Sequence, residues 1–164
     1  MKPHGIAILA ALAVLAGCGD SGGDSTAATA TVPPAGAEQV RLDVGDATLL
    51  ADVADDDAER TLGLGGRAAL RRNAGMYFVL TTDAPRIWMK GMRFPLDLVW
   101  IYDDRVVDVT SDVPDEPPGT PEPQLPIYSP SQPANRVLEV NAGWARRNGI
   151  GAGDRVRLRD ANAG

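Results

Sequence analysis

Asp97-Leu98-Val99-Trp100-Ile101-Tyr102-Asp103-Asp104-Arg105-Val106-Val107-Asp108-Val109-Thr110 reads as two strands and a turn. β-Branched and aromatic residues dominate 97–102 and 105–110, and these types fit a pleated, half-buried surface. Two aspartates interrupt the apolar runs. Short polar side chains tolerate the left-handed backbone that a tight hairpin loop requires. The same alternation predicts strands at 39–44, 47–53, 75–80, 86–92, 136–140 and 154–158. Asp56 followed by Glu59 is a capping-box pattern for a short helix through about Leu62. Residues 142–148 form a second predicted helix, stopped by Gly149. Short strands outnumber helices, so the expected fold is mainly β: a small barrel-like antiparallel sheet with two short helices, over residues 39–158. Residues 159–164 are read as a tail.

The chain before this domain has a different character. Lys2 precedes an apolar run from Ile6 to Leu15, too short to span about 30 Å of hydrocarbon. The run ends in Leu15-Ala16-Gly17-Cys18, and Cys18 is the only cysteine. Residues 1–17 are therefore read as a signal peptide. The ending resembles the lipobox of bacterial lipoproteins, which implies cleavage before Cys18 and lipid attachment to it. Residues 18–38 are rich in Gly, Ser, Thr, Ala and Pro, a composition that cannot bury enough apolar area to fold. Such a tether reaches about 25 Å. The expected location is thus outside the cytoplasm, on the cell membrane, with the lipid anchor as the membrane partner.

Charge and residue inventory exclude several classes. The formal charge is −6, and loss of Lys2 with the signal peptide makes it −7. An acidic chain gains nothing from counterion release on nucleic acid, so no nucleic-acid partner is expected. The single histidine, His4, lies in the segment expected to be removed. Without histidine or a free thiol, the mature chain has no Ser-His-Asp or Cys-His machinery and no usual zinc set. No metal and no cofactor are expected. Residues 111–134 hold eight of the thirteen prolines and read as an exposed loop.

Five residues are the best candidates for ligand binding: Trp88, Lys90, Asp97, Glu139 and Asn141. If 86–92 is a strand, Trp88 and Lys90 share a face. Asp97 opens one apolar strand, and Glu139 sits inside another, where a carboxylate is expected to be paired or to face a cleft. Lys90 is expected to pair with Asp97 or Glu139 beside the Trp88 ring. The other charged clusters have plainer readings. Asp52, Asp55, Asp56, Asp57 and Glu59 lack the spacing of a calcium loop and suit a helix start. Arg155, Arg157 and Arg159 alternate along one strand face and suit a solvated surface or contact with anionic headgroups.

Gly75-Met76-Tyr77-Phe78-Val79, Ile87-Trp88-Met89-Lys90, Pro95-Leu96-Asp97, Val137-Leu138-Glu139-Val140-Asn141-Ala142-Gly143 and Gly149-Ile150-x-x-Gly153-Asp154-x-Val156 occur in this order. Together they resemble the domain-of-unknown-function family 192, over about 110 residues from Ala51 to Leu158. The chain departs from the family's usual pattern twice. Ile87 and Gly91-Met92 replace parts of an aromatic-Trp-Met-Lys-Asn-Thr run, and Gly65-Gly66 replace a Met-aromatic pair before Arg67. The resemblance implies a compact β-rich fold and no agreed activity. The residues themselves suit a non-catalytic binding module for a polar envelope ligand. The alternatives are a structural envelope protein bound to a protein partner, and a histidine-independent hydrolase using a carboxylate and Lys90.

Overall fold

The computed structural model describes residues 38–117 and 119–160. The expected signal peptide, Cys18 and all but the last residue of the tether lie outside these residues, as do 161–164 of the tail. The elements run β1 (Gln39–Val44), β2 (Ala47–Ala54), α1 (Asp57–Leu62), β3 (Ala74–Val79), β4 (Leu96–Tyr102), β5 (Arg105–Val113), a 3-10 turn (Glu122–Gln124), β6 (Arg136–Asn141), α2 (Trp144–Asn148) and β7 (Val156–Asp160). The protein is mainly β, as its alternating pattern predicts.

Seven strands form one sheet in the order β5-β4-β6-β3-β2-β1-β7. Every pairing is antiparallel except β2 with β3. A parallel pair needs a crossover between its strands, and α1 with residues 63–73 supplies it. The sheet is therefore mixed rather than purely antiparallel. It curls until its two edges meet at one place. There Arg105 bridges Arg155, Val106 N donates to Asp154 O at 2.9 Å, and Val156 N donates to Asp104 O at 2.7 Å. The result is a half-barrel.

Strand alternation sorts side chains onto two faces. Leu42, Ala51, Tyr77, Leu138, Val99 and Val156 pack on the inner face, where Trp144 and Ala145 of α2 plug the barrel. Met76, Phe78, Val137, Leu98 and Trp100 lie on the outer face of the central strands. That face is not left to solvent, because Leu64, Met89 and Met92 cover it from the connecting segments.

Local chemistry explains the element boundaries. The Asp56 side chain accepts from Glu59 N at 2.8 Å and starts α1, and Glu59 Oε2 accepts from Asp55 N at 3.2 Å. Asp103 takes φ 54° in the β4–β5 turn, the left-handed conformation its short side chain tolerates. Gly75 is required by close approach: a Cβ there would lie 2.8 Å from Glu139 O on the neighbouring strand.

Residues 86–92 are not a strand. They make one isolated bridge, Ile87 to Tyr128, and then turn at Gly91. The apolar alternation there records burial against the outer face, not pairing in a sheet. The proline-rich 111–134 region begins as the end of β5 and continues as irregular chain tied back to the fold. Ser131 N donates to Asp108 Oδ2 at 2.8 Å, Ala134 N donates to Asp83 O at 3.0 Å, and Leu125 and Ala134 are buried.

Candidate functional site

Register places one row of residues across the outer face: Asp52 on β2, Met76 on β3, Glu139 on β6 and Leu98 on β4. Glu139 is thus flanked by two apolar neighbours in the middle of the sheet. It is 5% exposed. No donor or cation among the described residues partners its carboxyl. Burial alone pushes its pKa from 4.5 up to about 8. At neutral pH the group is a protonated acid that can donate as well as accept.

The carboxyl faces a cavity of about 110 Å³ between the sheet and its covering segments. Leu62, Leu64, Phe78, Met89 and Met92 give it apolar walls. Arg60, Arg86, Trp88 and Lys90 also line it. The Trp88 ring is 46% exposed, with Lys90 Nζ 5.4 Å from the ring centroid. Arg60 is already engaged, donating to Val79 O at 2.9 Å and to Asp57 Oδ1 at 2.7 Å. Arg86 is exposed and has no hydrogen-bond or ion-pair partner among the described residues.

Of the five residues singled out from the sequence, this cavity gathers Trp88, Lys90 and Glu139. The expected pairing of Lys90 with Asp97 or Glu139 does not occur. Lys90 pairs instead with Glu122 from the proline-rich segment, and both partners are about half exposed. Asp97 is fully buried on the opposite face and is saturated by backbone donors. It accepts from Asp112 N at 2.9 Å, Gly143 N at 3.0 Å and Ala145 N at 2.9 Å. It thereby caps α2, whose own preceding residue, Gly143, has no side chain to do so. Asn141 Nδ2 donates to Leu70 O at 3.1 Å and Arg71 O at 3.0 Å, which pins the β2–β3 crossover.

A residue missed by sequence reasoning is Arg67. It is buried, and its Nη1 donates to Asp52 Oδ2 at 2.7 Å, while Gln39 Nε2 donates to the other oxygen at 2.6 Å. Asp52 is therefore satisfied, unlike Glu139 two strands away. The three alternating arginines divide: Arg155 pairs with Asp104 at 3.4 Å, and Arg159 pairs with Asp43. Among the described residues no cluster of His, Cys, Asp or Glu is arranged to hold a metal, and no helix is long and apolar enough to cross a membrane.

The model of the DUF192 family, described as Uncharacterized ACR, matches residues 40–158. The chain belongs to this family. No curated protein matches it. Two solved structures share the DUF192 chain's fold. One is a "putative transcription regulator" from Sinorhizobium meliloti 1021, with TM-score 0.66 and 26% identity, covering 74% of this chain and 95% of that one. The other is a protein of unknown function from Novosphingobium aromaticivorans DSM 12444, with TM-score 0.67 and 27% identity, covering 85% and 99%.

Within this DUF192 domain the two departures from the usual family pattern lie against each other. Gly66 N donates to Gly91 O at 2.9 Å, and a Cβ on Gly91 would lie 3.9 Å from the Gly65 Cα. Gly65, Ile87 and Met92, three of the departing residues, line the Glu139 cavity.

Proposed function

We propose that this DUF192 protein is a lipid-anchored cell-envelope protein whose domain is a non-catalytic binding module for a polar envelope ligand, seated in the cavity over Glu139. The single observation that carries the reading is an unpartnered, buried carboxyl facing a cavity beside an exposed tryptophan. A buried polar group without a partner is costly, and natural proteins keep one where a ligand or water completes it. Trp88 offers an aromatic platform, and Lys90 and Arg86 offer donors.

Binding fits better than hydrolysis. Carboxylate catalysis of the glycosidase kind needs a second free carboxyl near the first. Asp52 is committed to Arg67 and Gln39, and Asp97 to three backbone amides. The Sinorhizobium protein's description as a regulator raises nucleic-acid binding, and the charge of −6 and pI near 4.7 speak against carrying it over. The anchor rests on the Leu15-Ala16-Gly17-Cys18 ending and on Cys18 being the only cysteine.

The test is a thermal-shift screen of a fragment starting at Glu38, which contains all seven strands, against envelope-polymer fragments and small metabolites. A ligand at a hundred times its Kd stabilises by about 2.7 kcal/mol. The expected hit loses its effect in Trp88→Ala and in Glu139→Gln. Hits that survive in both variants would place binding elsewhere and refute the assignment of the cavity. Mass spectrometry of the protein from its native host checks the anchor, and an unmodified Cys18 in the mature chain would sink it.

A further inference from the structure

The cavity over Glu139 has a chemical asymmetry that narrows its ligand. Its floor is a single carboxyl, its walls are apolar, and the side chains that bring charge to its lining are all cationic: Arg60, Arg86 and Lys90. Its volume, about 110 Å³, is smaller than the roughly 150 Å³ of an engineered cavity that accepts benzene, and suits a slim chain better than a bulky group. Methylene groups match the walls formed by Leu64, Phe78, Met89 and Met92. A group that reaches the floor can accept from the neutral acid or donate to it, and an ammonium, which ionises the acid, donates with charge assistance. Arg60 and Lys90 are matched by Asp57 and Glu122, which leaves Arg86 as the unpaired charge that disfavours a ligand cationic throughout. Arg86, exposed and without a partner among the described residues, is free to take an anion.

We propose that the cavity takes the ammonium-tipped aliphatic chain of a diamino acid, with the ammonium on Glu139 and the carboxylate of the same molecule at Arg86 and Lys90. The inference rests on the reading of the cavity as a ligand site and names the ligand's class. Free lysine carries this chemistry, and so does a short peptide that combines a lysine side chain with its own terminal carboxylate; the experiment separates the two sources.

Binding has a proton signature. Glu139 is faced by Met76 and Leu98 from the neighbouring strands and by Met89, Met92, Leu64 and Phe78 from above, none of which titrates. Arg60, Arg86 and Lys90 line the same cavity, yet burial is the one cause of the raised pKa. An arriving ammonium supplies the missing counter-charge, so the acid ionises and one proton leaves for the buffer.

The experiment is isothermal titration of the purified chain at pH 7 in two buffers of different ionisation enthalpy. The probes are L-lysine, a Gly-Lys-Gly tripeptide, Nε-acetyllysine and 1,5-diaminopentane. Saturable binding by lysine or by the tripeptide is expected, with about one proton released. The tighter of the two identifies the source. Nε-acetyllysine, which lacks the side-chain cation, and diaminopentane, which lacks the carboxylate, should each bind at least tenfold more weakly. Glu139→Gln should lose the ammonium-dependent part. Arg86→Ala, an exposed change that leaves the core intact, should bring lysine down to the level of diaminopentane. Equal binding of lysine and Nε-acetyllysine would overturn the ammonium assignment. If that binding still vanished in Trp88→Ala, the cavity would remain the site for another ligand class. Silence from all four probes would also overturn the proposal, whereas the cavity itself would fall as a site only if the envelope-ligand screen were silent too.

Discussion

Glu139→Gln should convert a pH-dependent protein into a less pH-dependent one, and the sign follows from the pKa. In the unfolded chain the carboxyl titrates at its ordinary 4.5, and in the fold at about 8. The folded state therefore holds this proton more tightly. Its stabilising contribution is fully present below pH 4.5 and is lost as pH rises through 8. Between those limits the unfolded chain has released the proton and the native one has not, so each pH unit removes about 1.4 kcal/mol of stability. The window is worth on the order of 5 kcal/mol, a large share of the 5–15 kcal/mol that holds a typical domain together. Glutamine keeps the shape and does not titrate. Urea unfolding of both proteins at half-unit steps from pH 4.5 to 9 isolates this group, because every other titration is common to both. The stability of Glu139→Gln relative to wild type should rise steadily with pH and level off near pH 8. Parallel curves across the whole range would show that Glu139 ionises freely in the fold, and the account of its environment would be wrong.

Three further substitutions probe the framework around the site. Asp97→Ala orphans three backbone N–H groups, two of them buried, and should cost about 3 kcal/mol or more, with α2 losing hydrogen-exchange protection first. Arg67→Met leaves Asp52 buried without its cation and should cost roughly 3–5 kcal/mol. Asp52→Leu added to it should restore much of the loss in a double-mutant cycle by urea unfolding. Lys90→Met removes an exposed ion pair and a contact with Trp88 and should cost less than about 1 kcal/mol by the same assay. A loss of 2 kcal/mol or more would mean that Lys90 pairs with a buried carboxylate after all.

The sequence carried the sheet in two ways: β1 alternates visibly, whereas β4 and β6 are short β-branched and aromatic runs buried on both faces. It carried α1 through Asp56 and Glu59, and the stop of α2 through Gly149, which takes φ 67°. The error at 86–92 is instructive. Ile87 and Met89 turn inward and Trp88 and Lys90 outward, which is what a strand would do, but an irregular segment lying on a sheet produces the same period. Gly91, at φ 72°, and the adjacent prolines were the local signals against pairing. The candidate site was legible in part. Glu139 was conspicuous as a carboxylate in an apolar strand, and so was Asp97, yet nothing local separates the two. What separates them is topology. Three amides from β5 and the start of α2 converge on Asp97, and none reaches Glu139. The partners of Lys90 and Asp52 were equally hidden, since Glu122 and Arg67 are brought there by chain segments with no periodicity of their own.

The placing of β7 has a consequence for how the protein is made. β1, the first strand of the domain, lies between β2, which follows it at once, and β7, whose Arg159 reaches Asp43 across 116 residues of chain. A ribosome releases the N-terminal strand long before it has built that neighbour. Until the last residues emerge, one side of β1 carries unpaired N–H and C=O groups, and the curl cannot bring β5 and β7 together at Arg105 and Arg155. Closure over so long a loop is slow compared with hairpin formation. The nascent chain therefore stays open until β7 has emerged, and a frameshift or stop codon between Asn148 and Val156 would leave every earlier strand translated and the barrel unlatched.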